Sequence, residues 1–367
     1  MTRTYLVTGG AGYIGSHVVV DLLARGHRVV VFDNLQQGHR EAVHPDATLV
    51  VGDLCDPAAL QSLFQSHRFD GILHFAANSL VGESMKLPFR YIGDNVTNAL
   101  NLVRAAIEHD VLRLVLSSTC AVFGLPSRVP IDEDVEKNPA NPYGESKLMI
   151  ERILRWADEV HGLRSAALRY FNAAGAHPEF PIGEDHAPET HLIPLAFEVV
   201  LGQRPHLEIF GDDYATPDGT CIRDYIHVCD LSDAHVRVLD ALETGSCRYN
   251  VGIGNGYSVR EVLDSVRRIT GHPLPARIGP RRAGDPPVLV AAPDRIRREL
   301  GWQPKYPELD EIVGTAWRWR AAHPTGFARH GDAGSRGIGG FAMTPPRDIP
   351  EATPAARVPL DALGALR

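Results

Sequence analysis

The chain has 367 residues, 44% of them hydrophobic and 22% charged, with a formal net charge of −8. This is the composition of a soluble globular protein with room for two lobes, and its scattered basic residues give no electrostatic footprint for nucleic acid. No run of about 18 apolar residues offers a membrane span, so no membrane partner is expected. The segment Met1 to Val7 enters a strand pattern at once and leaves no room for a signal peptide. Five cysteines, Cys55, Cys120, Cys221, Cys229 and Cys247, are odd in number and form no Cys-x-x-Cys pair. Neither a disulfide framework nor a zinc cluster is indicated, and the histidines show no His-Glu-x-x-His spacing; a reduced cytoplasm and no metal are expected.

The first element, Tyr5 to Thr8, reads as a short buried strand running into Gly9-Gly10-Ala11-Gly12-Tyr13-Ile14-Gly15 and a helix from Ser16 to Arg25. Gly9, Gly12 and Gly15 allow a tight turn and a close approach to a pyrophosphate, with the helix N-terminus offering free N–H groups to the anion. The second strand, His27 to Asp33, ends in an acid eighteen residues beyond Gly15. A carboxylate there accepts from both adenosine ribose hydroxyls and repels a 2′-phosphate, so NAD is expected over NADP.

Further strands are predicted at 48–53, 71–76 and 112–117, as apolar runs without strict alternation, which suits a parallel sheet covered on both faces. The fold class is therefore α/β: a Rossmann-type doubly wound parallel sheet with a smaller C-terminal substrate-binding lobe. Asp53 and Leu54, then Phe75, Ala76 and Ala77, fall at carboxyl ends of strands, where ligands sit in such sheets. Asp53 reads equally well as an adenine-side residue and as the N-cap of the helix containing Pro57.

Tyr143 and Lys147 are four residues apart, on one face of a predicted helix. A free tyrosine has a pKa of about 10 and is a poor base, but a nearby ammonium favours the phenolate. Such a tyrosine takes a proton from a sugar or alcohol hydroxyl. Beyond Asn172 the βα rhythm gives way to loop-rich sequence with Pro178, Pro181, Gly183 and Pro188, read as the start of the substrate lobe.

The glycine pattern, Ser117-Ser118-Thr119 and Tyr143-x-x-x-Lys147 together resemble the extended short-chain dehydrogenase/reductase family. Further blocks narrow the resemblance to its UDP-glucose 4-epimerase branch, over roughly residues 2 to 325: His74 to Ala77 with Val81 to Ser84, Arg169 to Asn172, Gly175 to Pro178, His191 to Pro194, Asp218 to Thr220 with Arg223 to Val228, and Arg281 to Pro286. The implied activity is reversible C4 epimerisation of UDP-glucose and UDP-galactose through a transient 4-keto sugar, the hydride being held on tightly bound NAD. The implied setting is galactose metabolism.

Under this resemblance Tyr143 removes the 4-hydroxyl proton, Lys147 bonds the nicotinamide ribose, and Thr119 supplies a hydroxyl to the 4-oxygen. Tyr13, Ile14, Asn34, Asp94, Ser117 and Phe171 join the residues above in contact with NAD. The pyrophosphate of the substrate needs guanidinium forks, for which Arg223 and Arg282 are the matched candidates. Asn172 reaches the diphosphate or sugar, Leu192 and Phe210 flank the uracil, and Asp285 accepts from the uridine ribose. The family also implies a homodimer.

The chain departs from the family pattern at four places. Asn78-Ser79 replaces a phosphate-facing lysine, Asp94 stands where asparagine is common, His191 takes the place of an asparagine and as a hydrogen-bond donor is expected to keep its substrate-binding role, and Leu289, also expected at the substrate, falls where side-chain bulk gates N-acetylated sugars. The alternatives from the same fold are a UDP-N-acetylglucosamine 4-epimerase and a 4,6-dehydratase. The second needs an acidic pair after the threonine, where this chain has Cys120-Ala121. The expected organisation is an NAD-binding domain at 1–175, a UDP-sugar lobe at 176–325 with some chain exchange between them, and a flexible Gly/Pro-rich tail at 326–367.

Overall fold

The structure, a computed structural model, describes residues 2–282 and 284–327. Almost all of the segment expected as a tail, from 328 onward, lies outside the described residues, as does Ala283.

In chain order the elements are β1 (Thr4–Thr8), α1 (Tyr13–Ala24), β2 (Arg28–Asp33), β3 (Thr48–Val51), α2 (Pro57–Ser66), β4 (Gly71–His74), α3 (Val81–Ser84), α4 (Pro88–Glu108), β5 (Arg113–Ser117), α5 (Pro142–His161) and β6 (Arg164–Tyr170). They continue with β7 (Asn172–Ala174), α6 (Leu192–Val200), β8 (Leu207–Phe210), β9 (Ile222–Arg223), β10 (Tyr225–His227), α7 (Val228–Ala241), β11 (Cys247–Val251), β12 (Tyr257–Ser258), α8 (Val259–Thr270), β13 (Ala276–Gly279), β14 (Val288–Leu289), α9 (Asp294–Leu300) and α10 (Leu309–Ala322).

The seven-stranded central sheet has the order β11-β6-β5-β4-β1-β2-β3 and is parallel throughout. Strand order reverses between β1 and β4, which opens a ligand crevice at their carboxyl ends. The apolar runs bury both faces. Val7, Val31, Val115 and Leu168 pack with α1 and α7 residues such as Val18, Leu22, Leu231 and Val238. Their neighbours Leu6, Val30, Ile72 and Leu114 pack on the other side with Leu63 and Phe64 of α2, Leu102 of α4 and Leu154 of α5. A separate cluster, including Phe197, Ile209, Val262, Val266 and Ile312, joins α6, β8, α8 and α10. β11, which comes late in sequence, extends the central sheet by pairing with β6.

Two local expectations are corrected. The first helix begins at Tyr13 rather than Ser16, because Gly12 is its extended N-cap and the glycine turn is complete by that point. The N-cap of α2 is Asp56, whose carboxylate accepts from Ala58 N at 2.9 Å, with Pro57 at the first helical position. Asp53 instead accepts from Cys55 N at 2.9 Å and from Asn34 Nδ2 at 2.8 Å.

Candidate active site

The glycine turn is shaped for a close-approaching ligand. Gly9 has φ +73°, and a Cβ there would stand 2.5 Å from Ala76 N; a Cβ on Gly15 would stand 2.2 Å from Gly9 O. Only glycine therefore lets β1, α1 and the strand end at Ala76 approach so nearly. The N-terminus of α1 has no side-chain cap. It keeps its dipole and first-turn N–H groups available for an anion. Asp33 closes β2, its two oxygens accepting from Ala11 N at 3.0 Å and Leu35 N at 2.9 Å, and burial pushes its pKa up. A cradle without side chains, an uncapped helix end and a carboxylate at the second strand end together fit a dinucleotide.

The rest of the expected cofactor set is distributed unevenly around that cradle. Leu54 is buried in the α2–α4 core, Ile14 and Phe75 line the opposite core, and Ala76 meets Gly9. Ala77 is half-buried beside it. Tyr13 donates to Gly175 O at 2.6 Å, tying the cradle to the turn after β7. Asp94 is half-exposed and accepts from Asn78 Nδ2 at 3.1 Å. Its neighbour Asn95 is the inward residue: it bridges Asn78 N and O at 2.8 and 3.0 Å and donates to Ser146 Oγ at 3.0 Å.

Tyr143 and Lys147 stand in the first turns of α5, which starts where it does because Asn141 accepts from Gly144 N at 2.8 Å and Pro142 takes the first helical position. Both side chains are buried. Lys147 Nζ donates to Ser117 O at 2.8 Å, at the end of β5. Thr119 caps the short helical turn 120–123 by accepting from Ala121 N at 3.1 Å, and its hydroxyl faces Tyr143 closely enough to favour the phenolate.

The electrostatics correct one expectation. Burial pushes Tyr143 well above the ordinary tyrosine value, with the Thr119 hydroxyl pulling the other way. Burial lowers Lys147 to about 8, opposed by the Glu151 charge. The ammonium is held at the Ser117 carbonyl, so the polypeptide alone does not bring Tyr143 to the phenolate.

A supporting layer behind the pair was missed in the sequence. Arg169 grips Glu151 with two hydrogen bonds of 3.0 and 2.6 Å, and Glu151 accepts from Ser118 Oγ at 2.7 Å. Both ends of the ion pair are 3% exposed, which makes it costly to break. Ser117 Oγ pairs with Tyr170 OH at 2.9 Å. The spacing of Lys147 and Glu151, four apart on α5, was the available signal. Phe171 packs with Leu148, Phe123 and Ala291, and Leu289 lies against the same cluster.

In the later half of the chain, Arg223 and Arg282 converge on one carboxylate. Arg223 Nη2 is 2.5 Å from Asp285 Oδ1, and Arg282 Nη2 is 2.9 Å from Asp285 Oδ2. Leu289 of β14 is register partner to Arg223 of β9. The Arg282 guanidinium lies 5.0 Å from the ring centroid of Phe210, an exposed aromatic face. Asn172, half-buried, donates its backbone N–H to Asp224 O at 3.0 Å. His191 caps α6 and bonds Glu184 through Nδ1, while Leu192 packs toward the α6–α8 core. The 184–191 loop also brings Glu184, His186, Glu189 and His191 together, a grouping the spacing did not suggest.

Residues 5–252 match the NAD dependent epimerase/dehydratase family. The chain is 51% identical over 327 residues to the UDP-glucose 4-epimerase of Halalkalibacterium halodurans, covering 88% of this chain and 97% of that protein. It superposes on a crystal structure of a UDP-glucose 4-epimerase with a TM-score of 0.87 and 48% identity, covering 89% of this chain and all of that one. It also superposes on the UDP-glucose 4-epimerase of Bifidobacterium longum in complex with NAD+ and UDP, with a TM-score of 0.85, 36% identity and coverage of 88% and 100%.

Proposed function

The chain belongs to the NAD dependent epimerase/dehydratase family, and we propose that it interconverts UDP-glucose and UDP-galactose by inverting C4 through a transient 4-keto sugar. It is an isomerase that uses NAD. The observation that carries the reading is the buried Tyr143, beside Thr119 and one helical turn from Lys147, at the carboxyl edge of the sheet that holds the glycine cradle.

NAD, when bound, would supply a hydride carrier for C4 and a positive ring that favours the tyrosine phenolate. The protein does the remaining work. Gly9, Gly12 and Gly15 would hold the pyrophosphate of NAD, and Asp33 its adenosine ribose. Tyr143 Oη takes the proton from the 4-hydroxyl and later gives it back, with Thr119 Oγ1 steadying the oxygen. Lys147, fixed by Ser117 O, presents its remaining N–H donors to the cofactor ribose. Burial of both groups excludes water from the proton transfer.

Arg223 and Arg282, which grip Asp285 in the structure, would turn to the UDP diphosphate as a charge-assisted fork and release Asp285 to accept from the ribose. Phe210 offers a face for the uracil, and Leu289 borders the sugar end. We assign residues 1–175 and β11 to NAD binding and most of 176–325 to the nucleotide sugar. A cytoplasmic homodimer is part of the reading, supported by exposed Phe89 of α4 and Trp156 and Val160 of α5, apolar surface that a second copy would cover. Among the described residues no helix is long and apolar enough to cross a membrane.

The test is direct: purified protein incubated with UDP-galactose alone yields UDP-glucose by NMR. UDP-galactose left intact after long incubation would end the proposal.

A further inference from the structure

The loop between β7 and α6 places four side chains with metal-binding atoms around one point. One donor atom from each of Glu184, His186, Glu189 and His191 lies within 4.8 Å of the other three. His186 Nδ1 is 3.3 Å from Glu184 Oε1 and 3.7 Å from Glu189 Oε2, and His191 Nδ1 is 3.8 Å from Glu189 Oε1. Donors bound at about 2.0 to 2.2 Å to one tetrahedral ion stand roughly 3.3 to 3.6 Å apart, so these separations need only small adjustments, while Glu184 and His191, directly hydrogen-bonded to each other, would have to part by about an ångström to admit the ion.

The cluster is built rather than incidental. Glu184 is buried, and the carboxylate of Glu189 is 8% exposed. Glu189 is oriented by its own backbone, accepting from Thr190 N at 2.7 Å and His191 N at 2.8 Å. Such outer hydrogen bonds fix a ligand's direction. Asp185, between the first two donors, is turned away to accept from Phe327 N at 2.8 Å. His186 Nδ1 is itself sealed from solvent and stands at ion-pair distance from both carboxylates without good hydrogen-bond geometry to either. A cation between the imidazole nitrogen and the two carboxylates would satisfy all three.

We propose that Glu184, His186, Glu189 and His191 form a site for one divalent first-row transition cation of the zinc type. Two imidazoles and two carboxylates are nitrogen and oxygen donors of borderline hardness, which suit zinc and cobalt better than calcium or magnesium. With neutral imidazoles the cluster carries two negative charges, which one such ion balances. Because His191 also caps α6, an ion there would fix the entry to that helix.

The full-length protein, stripped with EDTA and returned to chelator-free buffer, is titrated with Zn²⁺ by calorimetry and with Co²⁺ by visible absorption. The expected result is one equivalent per chain and a four-coordinate cobalt spectrum without thiolate charge-transfer bands. His186→Gln and Glu189→Gln are each expected to weaken Zn²⁺ binding by at least about 10- to 100-fold, the loss common even for an outer-layer partner. Should one variant fail to fold, the other decides. The proposal is overturned by no uptake of either ion, by uptake that both variants retain, or by thiolate bands that assign the metal to the cysteines.

Discussion

Lys147 Nζ donates a 2.8 Å hydrogen bond to the carbonyl oxygen of Ser117. The ammonium is thereby anchored to the end of β5 and not to the tyrosine one turn away. Tyr143 has the Thr119 hydroxyl as its polar neighbour instead, so the two halves of the Tyr-x-x-x-Lys pair have separate surroundings.

Removing the hydroxyl of Tyr143 isolates the proton step. Tyr143→Phe is expected to fold, to retain NAD on purification, and to lose turnover by at least about 100-fold, the lower end for a lost general acid–base group. NAD released on denaturation and the rate of UDP-galactose conversion are the two readings. Unchanged turnover would remove Tyr143 from the mechanism.

Thr119 has two tasks that separate by substitution. Thr119→Ala loses the cap to Ala121 N, at a cost of about 1 kcal/mol in denaturant unfolding. It also loses the hydroxyl proposed to steady the substrate 4-oxygen beside Tyr143, lowering kcat by about 10- to 100-fold, as for a hydrogen bond to a charged group. Thr119→Ser keeps the hydroxyl and is expected to stay near wild type in both measurements. An inactive serine variant would contradict the role given to the hydroxyl.

Arg223→Leu should act on binding more than on chemistry. Losing a charge-assisted fork corresponds to about 1.5 to 3 kcal/mol, or KM raised by roughly 10- to 100-fold with kcat far less affected. Steady-state kinetics with UDP-galactose check this split. A fall in kcat at constant KM would place Arg223 elsewhere.

His235 is buried against Phe75 and Tyr170, bonds Leu231 O through Nδ1, and leaves Nε2 without a partner. Burial lowers its pKa to about 4, below the unfolded value of about 6.5. The unfolded chain therefore takes up the proton first. The neutral imidazole's contribution is full above pH 6.5 and is lost as pH falls from 6.5 toward 4. His235→Phe is expected to lose less stability than wild type across that interval, by up to about 3 kcal/mol. Denaturant midpoints at pH 7 and 4.5 for both proteins provide the comparison, and parallel losses would refute it.

Much of the fold, and the glycine turn and helix start on which the candidate site is built, was legible in the sequence because the signals are local. Gly9 and Gly15 sit where any Cβ would strike backbone, and Asn141-Pro142 marks the helix start that presents Tyr143 and Lys147. What escaped depends on tertiary approach. Arg169 and Glu151 meet because β6 and α5 are packed together, and nothing in their eighteen-residue separation announces it. Asp53 and Asp56 both precede Pro57 closely, and only the observed backbone makes Asp56 the cap. The donors at 184, 186, 189 and 191 follow no helical or strand period, so a loop path alone brings them together. The depressed tyrosine pKa was expected from spacing along the helix. Burial outweighs it, and Lys147 is turned toward Ser117.

The central claim is that C4 is inverted by a hydride that leaves and returns, with Tyr143 handling only the hydroxyl proton. Conversion of UDP-galactose in deuterated water, followed by NMR, tests it most directly. The account predicts UDP-glucose that carries hydrogen and no solvent deuterium at C4, without added cofactor. Deuterium at C4 of the product would show inversion by deprotonation at carbon and would contradict it.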